Sequence, residues 1–78
     1  MTFEIYSKPG CPYCDKIKTV MKQCNFTHTV KTLDEDFSRQ EFYDQFGPGT
    51  TFPQVIKDGE RLGGCVDTVK YLREQGLV

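Results

Sequence analysis

Only one histidine, His28, and no tryptophan occur among the 78 residues. No apolar run approaches the roughly 20 residues that span a bilayer, which excludes a transmembrane helix, and nothing near the N-terminus has the pattern of a secretory signal. Charge of either sign is not in excess: the net value is −1. A near-neutral chain lacks the electrostatic footprint of a nucleic-acid binder, and a lysine-bearing helix in it reads as a solvated face. Internal repeats, linkers and low-complexity tracts are also missing. With 37% hydrophobic and 27% charged side chains, residues 1–78 read as one small soluble domain able to bury about 60–65% of its unfolded surface. The expected setting is the cytoplasm, where a pair of nearby cysteines serves redox or metal chemistry more often than a structural disulfide.

What charge there is lies unevenly. Residues 1–33 sum to +3 through Lys8, Lys16, Lys18, Lys22 and Lys31, residues 34–44 to −4, and the remainder to zero. The cysteine pair of "YSKPGCPYCDKIK", Cys11 and Cys14, sits in the basic third.

Period and punctuation predict the elements. "TFEIY", Thr2–Tyr6, alternates as a strand, and Ser7–Gly10 is a loop. From Pro12, the residues Ile17, Val20, Met21 and Cys24 recur at helical spacing until Asn25. Phe26–Thr32 returns to β-branched alternation. Asp34 and Asp36 are expected to cap a helix carrying Phe42, Tyr43 and Phe46 and ended by Gly47–Gly49. "PQVIKDGERLGG" supplies two short strands about an Asp58-Gly59 turn. Val66, Val69 and Leu72 line a last helix ended by Gly76. The order β-α-β-α-β-β-α implies an α/β fold, a mixed four-stranded sheet covered by helices, with the first two strands parallel.

The cysteine spacing carries chemistry. With Cys11 as N-cap, Pro12 takes the first helical position, where its missing N–H is not needed. The N–H groups of Tyr13 and Cys14, the helix dipole and the charge of Lys8 then favour a Cys11 thiolate, the attacking form of the residue. Cys14, one turn inward, is placed to resolve a disulfide formed at Cys11. A zinc site is the plainer alternative, but Cys24 and Cys65 are isolated and His28, alternating with Phe26 and Val30, reads as a half-buried strand residue; no metal is expected. Tyr13, between the thiols at a helix start, is expected to be exposed beside the reacting sulfur.

"CPYC", then "TTFPQV", then "GGCVDT" resemble the dithiol glutaredoxins, over essentially the whole chain and in that family's order. Thioredoxins, on the same fold, typically carry Trp-Cys-Gly-Pro-Cys on a longer chain, and monothiol relatives read Cys-Gly-Phe-Ser. The resemblance implies the thioredoxin fold and a glutathione-dependent thiol–disulfide oxidoreductase, with Cys11 as nucleophile and Cys14 as resolving thiol. It implies a cis Pro53 facing the cysteines, which leaves the N–H and C=O of Phe52 to pair with glutathione. By the same resemblance Lys8 and Gln40 would hold the glycine carboxylate, while Gly64, Val66 and Asp67 would receive the γ-glutamyl end, with Tyr13 and Thr51 alongside. Plainer readings stand beside these: Asp67 as a helix cap, Thr51 as a strand-entry residue, Gln40 as a surface position. Phe52 stands where the family commonly has valine, and Val66 where a small polar residue is frequent.

No permanently bound cofactor is expected; glutathione is the reducing co-substrate. Glutathionylated and disulfide-containing proteins are the expected partners of a monomer, with ribonucleotide reductase a candidate that no residue singles out. Two alternatives are an iron–sulfur cluster carrier using Cys11 and glutathione across a dimer, and an electron donor recharged by thioredoxin reductase.

Overall fold

A computed structural model describes all 78 residues, Met1–Val78. The chain runs β1 (Thr2–Ser7), α1 (Pro12–Gln23), β2 (Thr27–Thr32), α2 (Arg39–Phe46), β3 (Gln54–Lys57), β4 (Glu60–Gly63) and α3 (Cys65–Glu74). The sheet order is β2-β1-β3-β4, with β1 parallel to β2 and antiparallel to β3, and β3 antiparallel to β4. This is the mixed four-stranded α/β arrangement expected from the sequence.

β1 is central, and its alternation explains the two cores. Phe3 and Ile5, fully buried, point to one face with Val55, which pairs with Ile5 across the antiparallel ladder. They pack with Ile17 and Met21 of α1 and with Cys65 and Leu72 of α3. Tyr6, one residue on, points the other way and joins Leu33, Phe37, Phe42, Phe46 and Ile56. α1 and α3 thus cover one face and α2 the other.

Local chemistry fixes the ends. Asn25, at φ 56°, stops α1 in the left-handed region that asparagine tolerates. Asp58 and Gly59, at φ 49° and 86°, make the tight β3–β4 turn with the hand that matches strand twist. The Asp58 carboxylate also accepts the Thr2 N–H at 2.8 Å, the main reason its pKa falls below the ordinary 3.8.

The expected caps of α2 are corrected. Asp34 takes φ 67° and its N–H donates to the Phe37 carbonyl, while the Asp36 carboxylate accepts the Thr32 N–H at 2.8 Å. Both aspartates therefore close a turn that precedes the helix. The cap is Ser38, whose Oγ accepts the Glu41 N–H at 3.1 Å while the Glu41 carboxylate accepts the Ser38 N–H at 2.9 Å, a reciprocal box. Cys24, expected on the buried stripe of α1, is instead its half-buried C-cap.

Candidate active site at the start of α1

Cys11 is the N-cap of α1 in extended conformation, Pro12 follows at the first helical position, and the Cys14 N–H donates to the Cys11 sulfur at 3.2 Å. Of the two amides expected to point at that sulfur, Cys14 supplies the hydrogen bond. The two sulfurs are joined, so the structure is the oxidised form. Cys11 retains 6% of its surface and Cys14 none, which gives an incoming disulfide one sulfur to meet. Tyr13, between them, is exposed, as expected, and His28 is half-buried, its Nδ1 2.8 Å from the Phe26 carbonyl.

The loop before β3 faces this pair. The Phe52–Pro53 bond is cis, and the Phe52 carbonyl oxygen lies 4.0 Å from the Cys11 sulfur. No other backbone group takes the Phe52 N–H or C=O. Buried Gln54 holds the loop: its Nε2 donates to the Thr51 carbonyl at 2.9 Å, and its Oε1 accepts from Arg61, whose guanidinium also donates to the Phe46 carbonyl at the end of α2. Turn, edge strand and helix end are thereby tied together.

A groove of ≈180 Å³ runs from this loop to the start of α3, lined among others by Tyr13, Thr51, Phe52, Pro53, Val66 and Asp67. Gly64 and Cys65 complete it. Gly64 is the N-cap of α3 and offers no side-chain bond, so the first amides of that helix face the groove without a cap. Asp67 is not a cap; it sits in the first turn, its carboxylate folded over Gly63, where a methyl group on the glycine would meet Oδ2 at 2.7 Å. Gly63 itself adopts φ 108°. Seven of the expected ligand-binding residues therefore share one groove.

Lys8 and Gln40 lie outside it. The Lys8 ammonium sits over the Phe52 ring, 5.6 Å from its centroid, within range of cation–π attraction. Phe52 in turn stacks on Phe42, centroids 4.1 Å apart and planes 13° from parallel. Gln40 is exposed on α2 and donates to the Asp44 carboxylate at 2.8 Å, one helical turn along. Two features escaped the sequence. Cys65 lines the groove as the first residue of α3, its thiol pushed up from the ordinary 9.0 by burial, with Lys16 working against that; its place in "GGC" was the available signal. The aromatic support under Phe52 was signalled by Phe37, Phe42 and Phe46 occurring within ten residues.

A family model described as glutaredoxin matches residues 3–62. The chain is 35% identical over 97% of its length to the chloroplastic glutaredoxin-C5 of Arabidopsis thaliana, of which it spans only 46%. It is 31% identical over 95% of its length to glutaredoxin 3 of Escherichia coli K12, of which it spans 89%. Among solved structures, a buckwheat glutaredoxin–glutathione complex superposes with a TM-score of 0.79 at 26% identity, covering 96% of this chain and 71% of that one. A helix-capping dithiol of this kind, on this sheet and with these relatives, makes the chain a thiol–disulfide oxidoreductase domain that belongs to the glutaredoxin family.

Proposed function

We propose that glutathione supplies the reducing power and that the substrates are protein–glutathione mixed disulfides and protein disulfides. The observation that carries this reading is the groove from Thr51 to Asp67 beside Cys11, with neither the N–H nor the C=O of Phe52 taken by another backbone group and the first turn of α3 uncapped. Glutathione is a peptide with two carboxylates and one ammonium. Its cysteine can pair with Phe52 as a strand would, its γ-glutamyl carboxylate can take the amides near Val66 at the helix start, and the Asp67 carboxylate can take its ammonium. Lys8, swinging from the Phe52 ring, is the cation for the glycine carboxylate. Gln40, whose amide donates to Asp44 on the exposed side of α2, would have to exchange that solvent-facing partner to join Lys8 at the glycine carboxylate. The similarity to a glutaredoxin solved with glutathione supports the same ligand.

In this mechanism the Cys11 thiolate attacks the glutathionyl sulfur of a mixed disulfide. A Cys11–glutathione bond forms, the substrate sulfur leaves as a thiolate and takes a proton. A second glutathione thiolate then attacks, releasing oxidised glutathione and restoring Cys11. On a protein disulfide, Cys14 displaces the substrate sulfur from Cys11 intramolecularly, which carries the advantage of high effective concentration. The same reading expects a monomer in a reducing, cytoplasmic setting. The test presents one disulfide substrate to the protein with glutathione and glutathione reductase, and separately with thioredoxin reductase. Turnover with the first and none with the second is expected; turnover only with the second would overturn the glutathione reading.

A further inference from the structure

A second groove, ≈430 Å³, opens between α1 and α3 and meets the first at Tyr13, Cys65 and Val66. Its walls are two helical stripes: Tyr13, Lys16 and Val20 on α1, and Val66, Val69, Lys70 and Arg73 on α3. Those intervals are the i, i+3, i+4 and i+7 that share a helix face. Close to the thiols the walls are apolar and open to solvent, with Val66 71% and Tyr13 58% exposed. Farther along come the three cations Lys16, Lys70 and Arg73, against the single carboxylate of Glu74. The ion pairs of the molecule are Lys18–Asp15, Lys31–Glu4 and Lys57–Asp58, so none of the three groove cations has a carboxylate partner.

We propose that this groove seats an acidic stretch of the polypeptide whose disulfide is being reduced, an apolar side chain next to the reactive cysteine lying on Tyr13 and Val66 and carboxylates beyond it meeting Lys16, Lys70 and Arg73. The inference rests on the disulfide-reducing part of the proposed function and adds a preference among protein substrates. Length agrees: from Val66 to Arg73 the helix rises about 10 Å at ~1.5 Å per residue, the reach of about three extended residues. Charge agrees too, since exposed unpaired cations flanking an apolar strip steer and hold an anionic segment.

The chemistry served is balanced without further reagents. The Cys11 thiolate bonds to one peptide sulfur as the peptide disulfide breaks, and the other peptide sulfur leaves and takes a proton. Cys14 then loses its proton, bonds to Cys11 and frees the first peptide sulfur. Two electrons pass to the peptide together with the Cys14 proton and one proton from water, and the protein ends as the Cys11–Cys14 disulfide.

The test uses the pre-reduced protein, freed of reductant, mixed with two disulfide peptides that share a leucine beside the cysteine and differ in carrying three glutamates or three lysines beyond it. The expected second-order rate constant is about tenfold higher for the acidic peptide at low salt, shrinking to about twofold at 0.5 M salt. Lys70→Glu with Arg73→Glu should invert the preference, and the milder Lys70→Gln with Arg73→Gln should abolish it. Both variants should keep the wild-type rate on the mixed disulfide of glutathione and 2-mercaptoethanol. Lys22→Glu, in the last turn of α1 outside the groove, should leave the preference in place. Equal rates for the two peptides, an acidic preference that survives in the double variants, or an equal response to Lys22→Glu would each overturn the proposal. Because no glutathione is present in the peptide arm, failure there is separate from failure of the glutathione assay described above.

Discussion

On the α1–α3 side of the sheet the core is mostly aliphatic and carries one cysteine: Ile5, Ile17, Met21, Val55 and Leu72 surround Phe3, with Cys65 among them. On the α2 side it is aromatic, Tyr6, Phe37, Phe42 and Phe46 meeting at centroid distances of 4.9 to 6.4 Å. The first face delivers the start of α1, and with it the thiols. The second ends in the stack of Phe42 under Phe52, and so sets the loop that faces them. One side supplies the reacting atoms and the other the surface a ligand meets, so damage to the two should be read out differently.

The largest effect separates the thiols themselves. Cys11→Ser should abolish every activity, because a serine hydroxyl at neutral pH is too weakly acidic to open a disulfide. Cys14→Ser should keep deglutathionylation, which a second glutathione can complete, and become slow on protein disulfides. Both variants are assayed on a small glutathionylated substrate and on a protein disulfide; loss of both activities in folded Cys14→Ser would reverse the assignment of resolver.

Truncating each core comes next. Phe42→Ala should cost about 3–5 kcal/mol and Leu72→Ala about 2–5 kcal/mol in urea unfolding. If the division between the faces holds, Phe42→Ala at a temperature where it remains folded raises the glutathione concentration needed for half-maximal rate, whereas Leu72→Ala leaves it near the wild-type value. Equal shifts in both would erase the distinction. Asp67→Ala should then weaken glutathione use by about 1–3 kcal/mol, the loss of a charge-assisted partner, with stability little changed. An unchanged dependence of rate on glutathione would leave Asp67 without a ligand role.

The smallest difference lies in alkali. Cys65 on the aliphatic face has its pKa raised by burial, and Lys31, whose ammonium donates to the Tyr6 hydroxyl at 3.3 Å on the aromatic face, is raised chiefly by that bond. A raised folded pKa means stability that is complete below the unfolded value and lost as pH climbs through the folded one. The Cys65 contribution should therefore begin to fade near pH 9.0 and that of Lys31 near 10.5, from their ordinary values. Cys65→Ala should flatten the earlier part of the decline in unfolding midpoint, and Lys31→Met the later part.

The sequence was most legible where structure is local. Cys11 before Pro12, Asn25 after the helical stripe and Asp58-Gly59 between strands each act within a few residues, and each appears where expected. Asp34 and Asp36 misled because an aspartate that closes a turn and one that caps a helix carry the same signature. Only the reciprocal Ser38–Glu41 pairing distinguishes the true start of α2. The Gln40–Asp44 contact lies at the i, i+4 spacing that a helix brings together, but that Lys8 rests on the Phe52 ring is a side-chain choice made in three dimensions, which no spacing encodes.

Gly63 shows how unevenly mutation would be felt along one short motif. At Gly10, Gly49 and Gly76 an added methyl meets no atom within 4 Å, and the change would register only as backbone strain. At Gly63 the same methyl would also run into the Asp67 carboxylate. Alanine at any of these positions should therefore lower the unfolding midpoint through strain, while only Gly63→Ala should also displace the Asp67 carboxylate, which an altered dependence of rate on glutathione would register.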